Sequence, residues 1–331
     1  MANTLLHNVE NRISDIQFQL QYILEPIEKK RVELKRRSWL LFFAFVLSLL
    51  IMAGIYYYTL NYIVLFGSGV ALILYGLTYF FWINSHKTQL VDDYHKNVVP
   101  HIINEFLGEA YFNPGNSIDS NDYWNSGIFN SRVDRYNGDN YISGVLGETS
   151  LKFSTLHTQY KTQTRTKNGT KTTWHTIFKG IFVIADSNKD FKGEVYIFPD
   201  SAERLLGGIG RWLQEKVGSS GRGEMVYLED PIFEKKYVVY ATDPVEARYL
   251  LTPTMQQHFV KAADYLGTSA VHASFVNGKL HIAISGSYDL FRFKMKRCLT
   301  DADTIKYYAH DMLHVLSVIE ILDLNTRIWG R

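Results

Sequence analysis

The feature that most constrains the fold is an apolar run from Trp39 to Ile83, which contains no Lys, Arg, Asp, Glu or His. A membrane-spanning helix needs about 20 apolar residues, because each residue adds about 1.5 Å. This run is about twice that long, so we expect two spans, 39–58 and 62–83, joined by a turn at Asn61. The alternative is a buried helical pair in a soluble core. We disfavour it because core helices of soluble proteins usually keep a polar stripe.

The charges that flank this run predict its orientation. Lys87 and Lys96 follow the second span, and the turn between the spans carries no charge. The positive-inside rule therefore places both termini in the cytoplasm. Basic residues can also attract anionic headgroups, at about 1 kcal/mol each near the surface. The expected headgroup contacts before the first span are Lys29, Lys30, Arg31, Lys35, Arg36 and Arg37.

Aromatic residues mark both expected membrane interfaces, where amphipathic rings prefer to lie. Trp39 and Trp82 fall on the cytoplasmic side. The rings on the far side are Tyr56, Tyr57, Tyr58 and Tyr62. Four glycines are expected to let the two helices approach closely, and they are Gly54, Gly67, Gly69 and Gly76. The run holds no ionisable group, which argues against a channel or a proton pathway.

Composition excludes further classes of function. A net charge of +2 in 331 residues is too small to suggest a nucleic-acid-binding protein. Cys298 is the only cysteine, so no intrachain disulfide is expected, in keeping with a reducing cytoplasm.

The arm before the membrane shows an apolar heptad pattern, typical of a coiled-coil seam. The first apolar position of the heptad is filled by Leu6, Ile13, Leu20, Ile27 and Leu34. The second apolar position is filled by Val9, Ile16 and Ile23. The pattern fails at Lys30 and Arg37, and Pro26 predicts a break or a kink near Glu25-Pro26, followed by a second helix. The stripe either docks a partner helix, including one from a second copy, or folds back onto the protein's own soluble domain.

The region after the membrane mixes helices and strands. Strands are expected where Thr, Val, Ile, Tyr and Phe are dense, at Tyr141–Thr155, Leu156–Thr166, Lys171–Ala185 and Gly193–Pro199. The Asn-Gly pairs at 168–169 and 277–278 predict tight hairpin turns. The second turn joins Ala270–Val276 to Leu280–Ser285. Helices are expected at Asn84–Gly108 with an interruption at Pro100, and at Ser201–Val217, Pro253–Leu266 and Asp301–Leu322, whereas 111–130 resembles a loop.

Few residues suggest chemistry. His310 and His314 share one helix face at the spacing of zincin metalloproteases, but Asp311 replaces the catalytic glutamate. They are candidate metal ligands, and we assign no catalytic residue, metal or cofactor. His272 and His281 lie on the two strands of the second hairpin and are a weaker candidate pair. The glycines of Leu206–Arg211 do not match a phosphate-binding loop.

One polar cluster could be either a binding site or a structural network. It consists of Glu229, Asp230, Glu246 and Arg248, which could form an ion pair with bidentate arginine geometry. We favour the structural interpretation, because structural ion pairs gather charges in the same way.

Residues 225–253 carry a family resemblance. Leu228-Glu-Asp-Pro-Ile-Phe-Glu234 and Glu246-Ala-Arg-Tyr-Leu-Leu-Thr-Pro253 resemble blocks of the bacterial DUF3137 family, as do Gly138-Asp-Asn-Tyr-Ile-Ser-Gly144 and Ile177-Phe-Lys-Gly-Ile-Phe182. The resemblance implies paired spans ahead of a cytoplasmic domain and no established activity. It also implies a LemA-like helical membrane protein as a partner.

These observations together predict an α+β protein of the bacterial inner membrane. Its expected parts are a heptad arm at 1–37, a transmembrane hairpin at 38–85, a juxtamembrane helix at 86–110 and a cytoplasmic α+β domain rich in antiparallel hairpins at 111–331. The expected function is a non-enzymatic scaffold that assembles with itself or with a helical partner. The alternatives are a membrane-tethered metal-dependent hydrolase and a sensor of anionic lipid surfaces.

Overall fold

The computed structural model describes residues 2–59, 62–166, 169–187, 189–200, 223–267, 271–288 and 290–322. This part of the chain is α+β, with a long apolar N-terminal helix and an antiparallel sheet. It divides into two compact units. The helical unit consists of Glu10–His101 and Phe293–Lys306, and the sheet unit is built mainly from Ile102–Arg292. The first three helices are α1 (Ala2–Thr59), α2 (Tyr62–Asn97) and α3 (Val99–Asn104).

Helix α1 runs without interruption through Pro26, so the predicted break there is wrong. Proline removes one backbone hydrogen bond and costs about 3 kcal/mol in a helix interior. Leu20, Leu24 and Ile27, on either side of the proline, are buried. Packing of this stripe holds the helix together across the proline, which shows tertiary contacts overriding local preference.

The buried stripe of α1 also differs from the predicted heptads. Ile23 is only half-buried and Lys30 is exposed, whereas Leu24 and Arg31 are buried. The second heptad position is therefore displaced by one residue. The stripe continues through a charged residue because Arg31 is satisfied by hydrogen bonds. The side chains of Leu6, Val9, Ile13 and Ile16 lie outside the described set.

Helix α2 passes through residues 85 and 86 without a break and ends at Asn97, three residues before Pro100. The juxtamembrane segment is thus a direct continuation of the apolar helix, followed by the single turn of α3. Pro100 has no N–H for the helical hydrogen bond to the carbonyl four residues earlier, and its ring clashes with that carbonyl, which accounts for the interruption at this place.

Nine strands of the described residues form one sheet in the order β1-β2-β3-β4-β9-β8-β5-β7-β6, with every pairing antiparallel. The strands are β1 (Gly108–Asn113), β2 (Arg135–Leu146), β3 (Thr149–Thr166), β4 (Gly169–Asp186), β5 (Val195–Pro199), β6 (Glu224–Val226), β7 (Tyr237–Ala241), β8 (Val271–Val276) and β9 (Lys279–Ser285). Helix α4 (Ser120–Asn125) lies between β1 and β2 in the chain.

The predicted strand Tyr141–Thr155 is wrong, because a turn at Gly147-Glu148 divides it between β2 and β3. Gly147 has φ +61, a left-handed conformation that glycine adopts without steric cost. The division predicted between Thr155 and Leu156 is wrong as well, because β3 continues through both residues. The predicted loop at 111–130 contains the end of β1 and the whole of α4.

Only one of the two predicted Asn-Gly turns lies wholly within the described residues. Between β8 and β9, Asn277 and Gly278 have φ +53 and +73, so the predicted tight turn is confirmed. Between β3 and β4, Thr166 pairs with Gly169, so Gly169 begins β4 and does not sit inside the turn. Lys167 and Asn168 lie outside the described residues.

The sheet is buried on both faces near its middle. One face packs against α4 and its flanking loops, where Tyr123 contacts Phe182 and Phe129 contacts Phe178, with ring centroids 5.3 and 5.1 Å apart. On the other face, Tyr237 of β7 contacts Phe259. The central residues of these strands therefore form continuous apolar runs in the sequence, as is usual for strands buried on both faces.

The remaining helices of the described residues are α5 (Pro231–Lys236), α6 (Pro244–Leu250), α7 (Pro253–Leu266) and α8 (Ala302–Ile321). Helix α7 has the predicted boundaries. Asp230 and Asp243 cap α5 and α6 by accepting backbone N–H hydrogen bonds of the first turn, as aspartate does before a proline-initiated helix. The predictions for Asn61, for the helix at Ser201–Val217 and for the glycines of Leu206–Arg211 fall outside the described residues.

Candidate membrane-facing surface

The outer surface of α1 and α2 is apolar. Among the described residues between Trp39 and Phe81 of these helices, eighteen large apolar side chains are exposed, whereas soluble monomers rarely expose contiguous apolar patches above a few hundred Å². These side chains are Trp39, Leu40, Leu41, Phe42, Phe43, Leu47, Leu50, Ile51, Ile55, Tyr57, Tyr58, Phe66, Val70, Ile73, Leu74, Leu77, Phe80 and Phe81. Helices can expose such residues to lipid because their backbone hydrogen bonds are satisfied internally.

One helix of the described residues could cross a membrane by length and composition, the segment Leu20–Tyr58 of α1, and none of its apolar window is buried. The second expected span, 62–83, is not among the candidates found in the described residues. The side chains of residues 62–65 and 68 lie outside that set. The structure therefore establishes one possible membrane helix and leaves the two-span hairpin as a proposal.

Helices α1 and α2 nevertheless pack together within the helical unit. The Tyr75 hydroxyl donates to the Leu41 carbonyl at 2.5 Å, and the Tyr75 ring stacks on Phe45 with centroids 4.6 Å apart. Lys30 pairs with Asp93 at 2.8 Å. Contacts between earlier residues of α1 and later residues of α2 mean that the two helices run antiparallel.

The four glycines do not mediate this packing. A Cβ added at Gly54, Gly67, Gly69 or Gly76 would meet no described atom within 4 Å, so the predicted close approach at these residues is wrong. Aromatic side chains contribute to the contact instead, with the Phe45 and Tyr75 rings stacked.

The predicted interface aromatics are accessible to different extents. Trp39, Tyr57 and Tyr58 are exposed, whereas Tyr56 and Trp82 are half-buried. Trp82 packs on His86, with ring centroids 4.6 Å apart, and its carbonyl is bonded to His86 Nδ1 at 2.9 Å. The Tyr62 side chain lies outside the described set.

Arg31 is not available to a lipid headgroup, in contrast to the prediction. Its guanidinium is buried, donates to both carboxylate oxygens of Glu28, and donates to the Met295 carbonyl at 2.6 Å. Glu28 also accepts from the Leu299 N–H at 3.0 Å. The pair holds segment 293–299 to α1. The other five predicted headgroup cations are exposed: Lys29, Lys30, Lys35, Arg36 and Arg37.

The predicted ion pair in the 229–248 cluster is not formed. Glu246 accepts the backbone N–H groups of Lys192 and Gly193, and Asp230 caps α5. Arg248 donates to the carbonyls of Pro244 and Tyr227. Three of the four side chains thus bind backbone groups, and Glu229 accepts from the side-chain amide of Gln256. Charge complementarity alone therefore did not predict their partners.

Gln256 organises the same region and was missed by sequence reasoning. It is fully buried, and its amide nitrogen donates to Glu229 at 2.9 Å and to the Leu251 carbonyl at 2.7 Å. Its amide oxygen accepts the Asp230 N–H at 2.9 Å. A single glutamine within a helix carries no sequence signal of this role.

The metal candidates remain a pair of histidines. The His310 and His314 rings lie 4.2 Å apart between centroids, as expected for i and i+4 on one helix face. Among the described residues, no group of three or more His, Cys, Asp or Glu side chains is placed to hold a metal ion. The Asp311 side chain is outside that set.

His272 and His281 lie on one face of the β8–β9 hairpin but are not directly opposed, because His272 pairs with Ala283 and His281 with Ser274. Both are buried, and Nδ1 of each has no hydrogen-bond partner within the described structure. Burial lowers the pKa of His272 to about 4. Burial also lowers the pKa of His281 to about 4, against the opposing effect of a hydrogen bond to the Ser274 backbone. Both rings are thus neutral core residues at pH 7.

Comparison with known proteins gives a family and little more. No curated protein matches the chain. Among solved structures, the crystal structure of the mycobacterial trehalose monomycolate transport factor A, TtfA, is similar with 10% identity and a TM-score of 0.35, covering 66% of this chain and 90% of that one. That TM-score is too low to establish a shared fold or function. The profile of DUF3137, a protein family of unknown function, matches residues 176–324. The resemblance to the DUF3137 family read from the sequence is therefore confirmed over residues 176–324.

Proposed function

We propose that this protein is a membrane-anchored, non-enzymatic scaffold of the bacterial inner membrane, with both termini and the sheet unit in the cytoplasm. Helices α1 and α2 would cross the bilayer as a two-span hairpin over 39–58 and 62–83. The observation that carries the proposal is the outward-facing apolar surface of these two helices. Such a surface is stable in lipid and unstable in water.

The distribution of charge supports the orientation. The exposed cations of α1 and α2 lie before residue 38 or after residue 86. Lys and Arg close to the ends of a span favour the cytoplasmic side. The proposed parts keep the layout expected from sequence, a 1–37 arm, a 38–85 hairpin, an 86–110 helical segment and a 111–331 cytoplasmic domain.

The scaffold would assemble through helices, with a second copy or with a LemA-like membrane protein. Tyr22 and Val32 of α1 are exposed apolar residues before the span, on a helix whose other stripe is already buried. They supply a surface that a partner helix could cover.

The single cysteine gives a direct test of orientation. Cys298 is exposed, so a membrane-impermeant maleimide should label it in inside-out vesicles and leave it unlabelled in spheroplasts. A matched variant carrying Cys298→Ser and Tyr58→Cys should show the reverse pattern, because Tyr58 would lie at the outer interface. Labelling of Cys298 in intact spheroplasts would overturn the proposed topology.

Assembly needs a separate test. Deletion of residues 1–25 should reduce the mass of the complex purified in mild detergent and leave the protein in the membrane fraction. An unchanged mass would contradict the role of the arm and would leave the anchor unaffected.

A further inference from the structure

A groove lies between α1 and α2 where the apolar run meets its charged flank. It has a volume of about 510 Å³ and is lined by Arg37, Leu40, Leu41, Tyr75, Thr78, Tyr79 and Trp82. That volume is in the range of small-molecule sites, about 300–1,000 Å³. Apart from Arg37 at one end, the lining consists of apolar residues, aromatic rings and one threonine.

Two of the hydroxyl groups in this lining are already satisfied by the helices. Thr78 Oγ1 is bonded to the carbonyls of Leu74 and Tyr75 at 2.9 and 3.0 Å. Tyr75 donates to the Leu41 carbonyl. An apolar chain could therefore occupy the groove without leaving these groups unpaired, which is the usual cost of burying polar atoms.

A second, smaller hollow of about 260 Å³ adjoins the groove and is charged. It shares Arg37 and Trp82 with the groove and is otherwise lined by Lys30, Glu33, Leu34, His86, Gln89, Leu90 and Asp93. Lys30 pairs with Asp93, and Arg37 pairs with Glu33. All four charged side chains remain at least one-third exposed, so they can exchange partners at little cost.

We propose that the groove and the hollow form one lipid site, which holds a phospholipid with a phosphoethanolamine headgroup. This inference rests on the proposed membrane anchor. An acyl chain would lie in the apolar groove, and the phosphate would bind Arg37 and Lys30. The ammonium would bind Glu33 and Asp93.

The equal number of cations and carboxylates selects this headgroup. Phosphate binds guanidinium and ammonium through charge-assisted hydrogen bonds, and a primary ammonium offers three donors to the two carboxylates. A headgroup with a net negative charge would meet the carboxylates without a compensating ammonium. A choline headgroup has no N–H to donate.

Native mass spectrometry of the full-length protein in detergent provides the test. Delipidated protein is titrated with phosphatidylethanolamine, phosphatidylcholine and phosphatidylglycerol carrying identical acyl chains. We expect phosphatidylethanolamine to bind at least about tenfold more tightly than the other two, a difference of about 1.4 kcal/mol. Equal binding of all three lipids would overturn the proposal.

Two sets of variants locate the site. Thr78→Phe fills the groove and should weaken binding of all three lipids about tenfold. Leu77→Phe is the matched control, because Leu77 is exposed on the same helix and is not part of the groove lining. Glu33→Gln with Asp93→Asn leaves two cations without partners, and it should shift the preference from phosphatidylethanolamine to phosphatidylglycerol.

The outcomes separate this inference from the proposed function. Unchanged lipid binding by Thr78→Phe, in a protein that stays in membranes after carbonate extraction, would exclude the lipid site and keep the anchor. Release of the unmodified protein by carbonate would exclude the anchor itself. A preference for phosphatidylglycerol in the unmodified protein would show a simple basic surface and overturn the headgroup assignment.

Discussion

Apolar residues in the helical unit and in the sheet unit have opposite surroundings. Leu50 in α1 is 65% exposed, whereas Ile282 in β9 is completely buried. Both are aliphatic residues within regular secondary structure. The difference follows from the backbone, because a helix satisfies its own hydrogen bonds and a strand needs neighbours. A helix can thus present apolar side chains to lipid, while an apolar strand must be covered within the protein.

Hydropathy alone therefore does not identify the core. The most apolar stretch of the chain, 39–83, contributes no residue to the buried core of the described structure. The less apolar strands of the sheet supply its largest share. Residues 39–83 and the strands differ in the length of their apolar runs. The run at 39–83 is long enough to match a bilayer, whereas each strand matches only the width of a domain core.

The largest expected effect is on the sheet side of this comparison. Phe275 of β8 is 1% exposed, and its replacement by alanine should lower the free energy of unfolding by about 3–5 kcal/mol through lost burial and a cavity. The measurement is denaturant unfolding of the purified protein in detergent. Phe81→Ala removes the same ring from an exposed position of α2, and it should change that free energy by less than about 0.5 kcal/mol. Equal losses would mean that the outer surface of α2 is packed in the native protein.

A charge placed on α1 tests the helical side. Leu50→Arg should disfavour membrane insertion by about 2.5–3.5 kcal/mol, if position 50 lies near the middle of a span. The fraction of protein resistant to carbonate extraction should fall accordingly. Leu50→Met keeps an apolar side chain of similar volume and should extract like the unmodified protein. Full retention of the arginine variant would show that α1 faces protein or water at this position.

Sequence patterns predicted the local features of this molecule well. The hairpin at Asn277-Gly278 and the boundaries of α7 each depend on a few neighbouring residues. The family resemblance over residues 176–324 was also recognisable from short blocks.

Features that depend on distant contacts were not predicted. Pro26 is tolerated because a buried stripe holds α1 together, and Arg31 is buried because segment 293–299 supplies its partner carbonyl. The role of Gln256 depends on a loop 26 residues away in sequence. The groove between α1 and α2 requires the register of two helices, which hydropathy does not encode. Such contacts involve residues far apart in the chain, so no local pattern records them.

The buried histidines predict an acid sensitivity of the sheet unit. In the folded protein the pKa of His272 and that of His281 fall to about 4, while an unfolded histidine titrates near 6.5. The unfolded state therefore binds more protons between these values. Stability is fully present above about pH 6.5 and is lost as the pH falls toward 4, by about 1 kcal/mol per pH unit for each histidine.

Unfolding free energies measured between pH 7 and pH 4.5 test this slope. His272→Leu should remove about half of it, because one of the two buried rings is gone. His101→Gln alters an exposed ring and serves as the control, with the slope kept. An unchanged slope in His272→Leu would assign the acid sensitivity to other groups.

The smallest expected effect is at the exposed end of the β3–β4 hairpin. Beyond Arg135 of β2 and Ser285 of β9, strands β3 and β4 pair only with each other in the described structure. Their exposed end is held by local contacts such as Arg135 over the Trp174 ring, 3.9 Å from its centroid.

A cation–π contact at an exposed site contributes about 0.5–1 kcal/mol. Trp174→Ala should therefore leave global unfolding nearly unchanged and speed hydrogen exchange of residues 161–165 alone. Trp174→Phe keeps an aromatic face and should restore most of the protection. Faster exchange throughout β4, including its buried half at 180–185, would show instead that the exposed ribbon and the sheet core open as one cooperative unit.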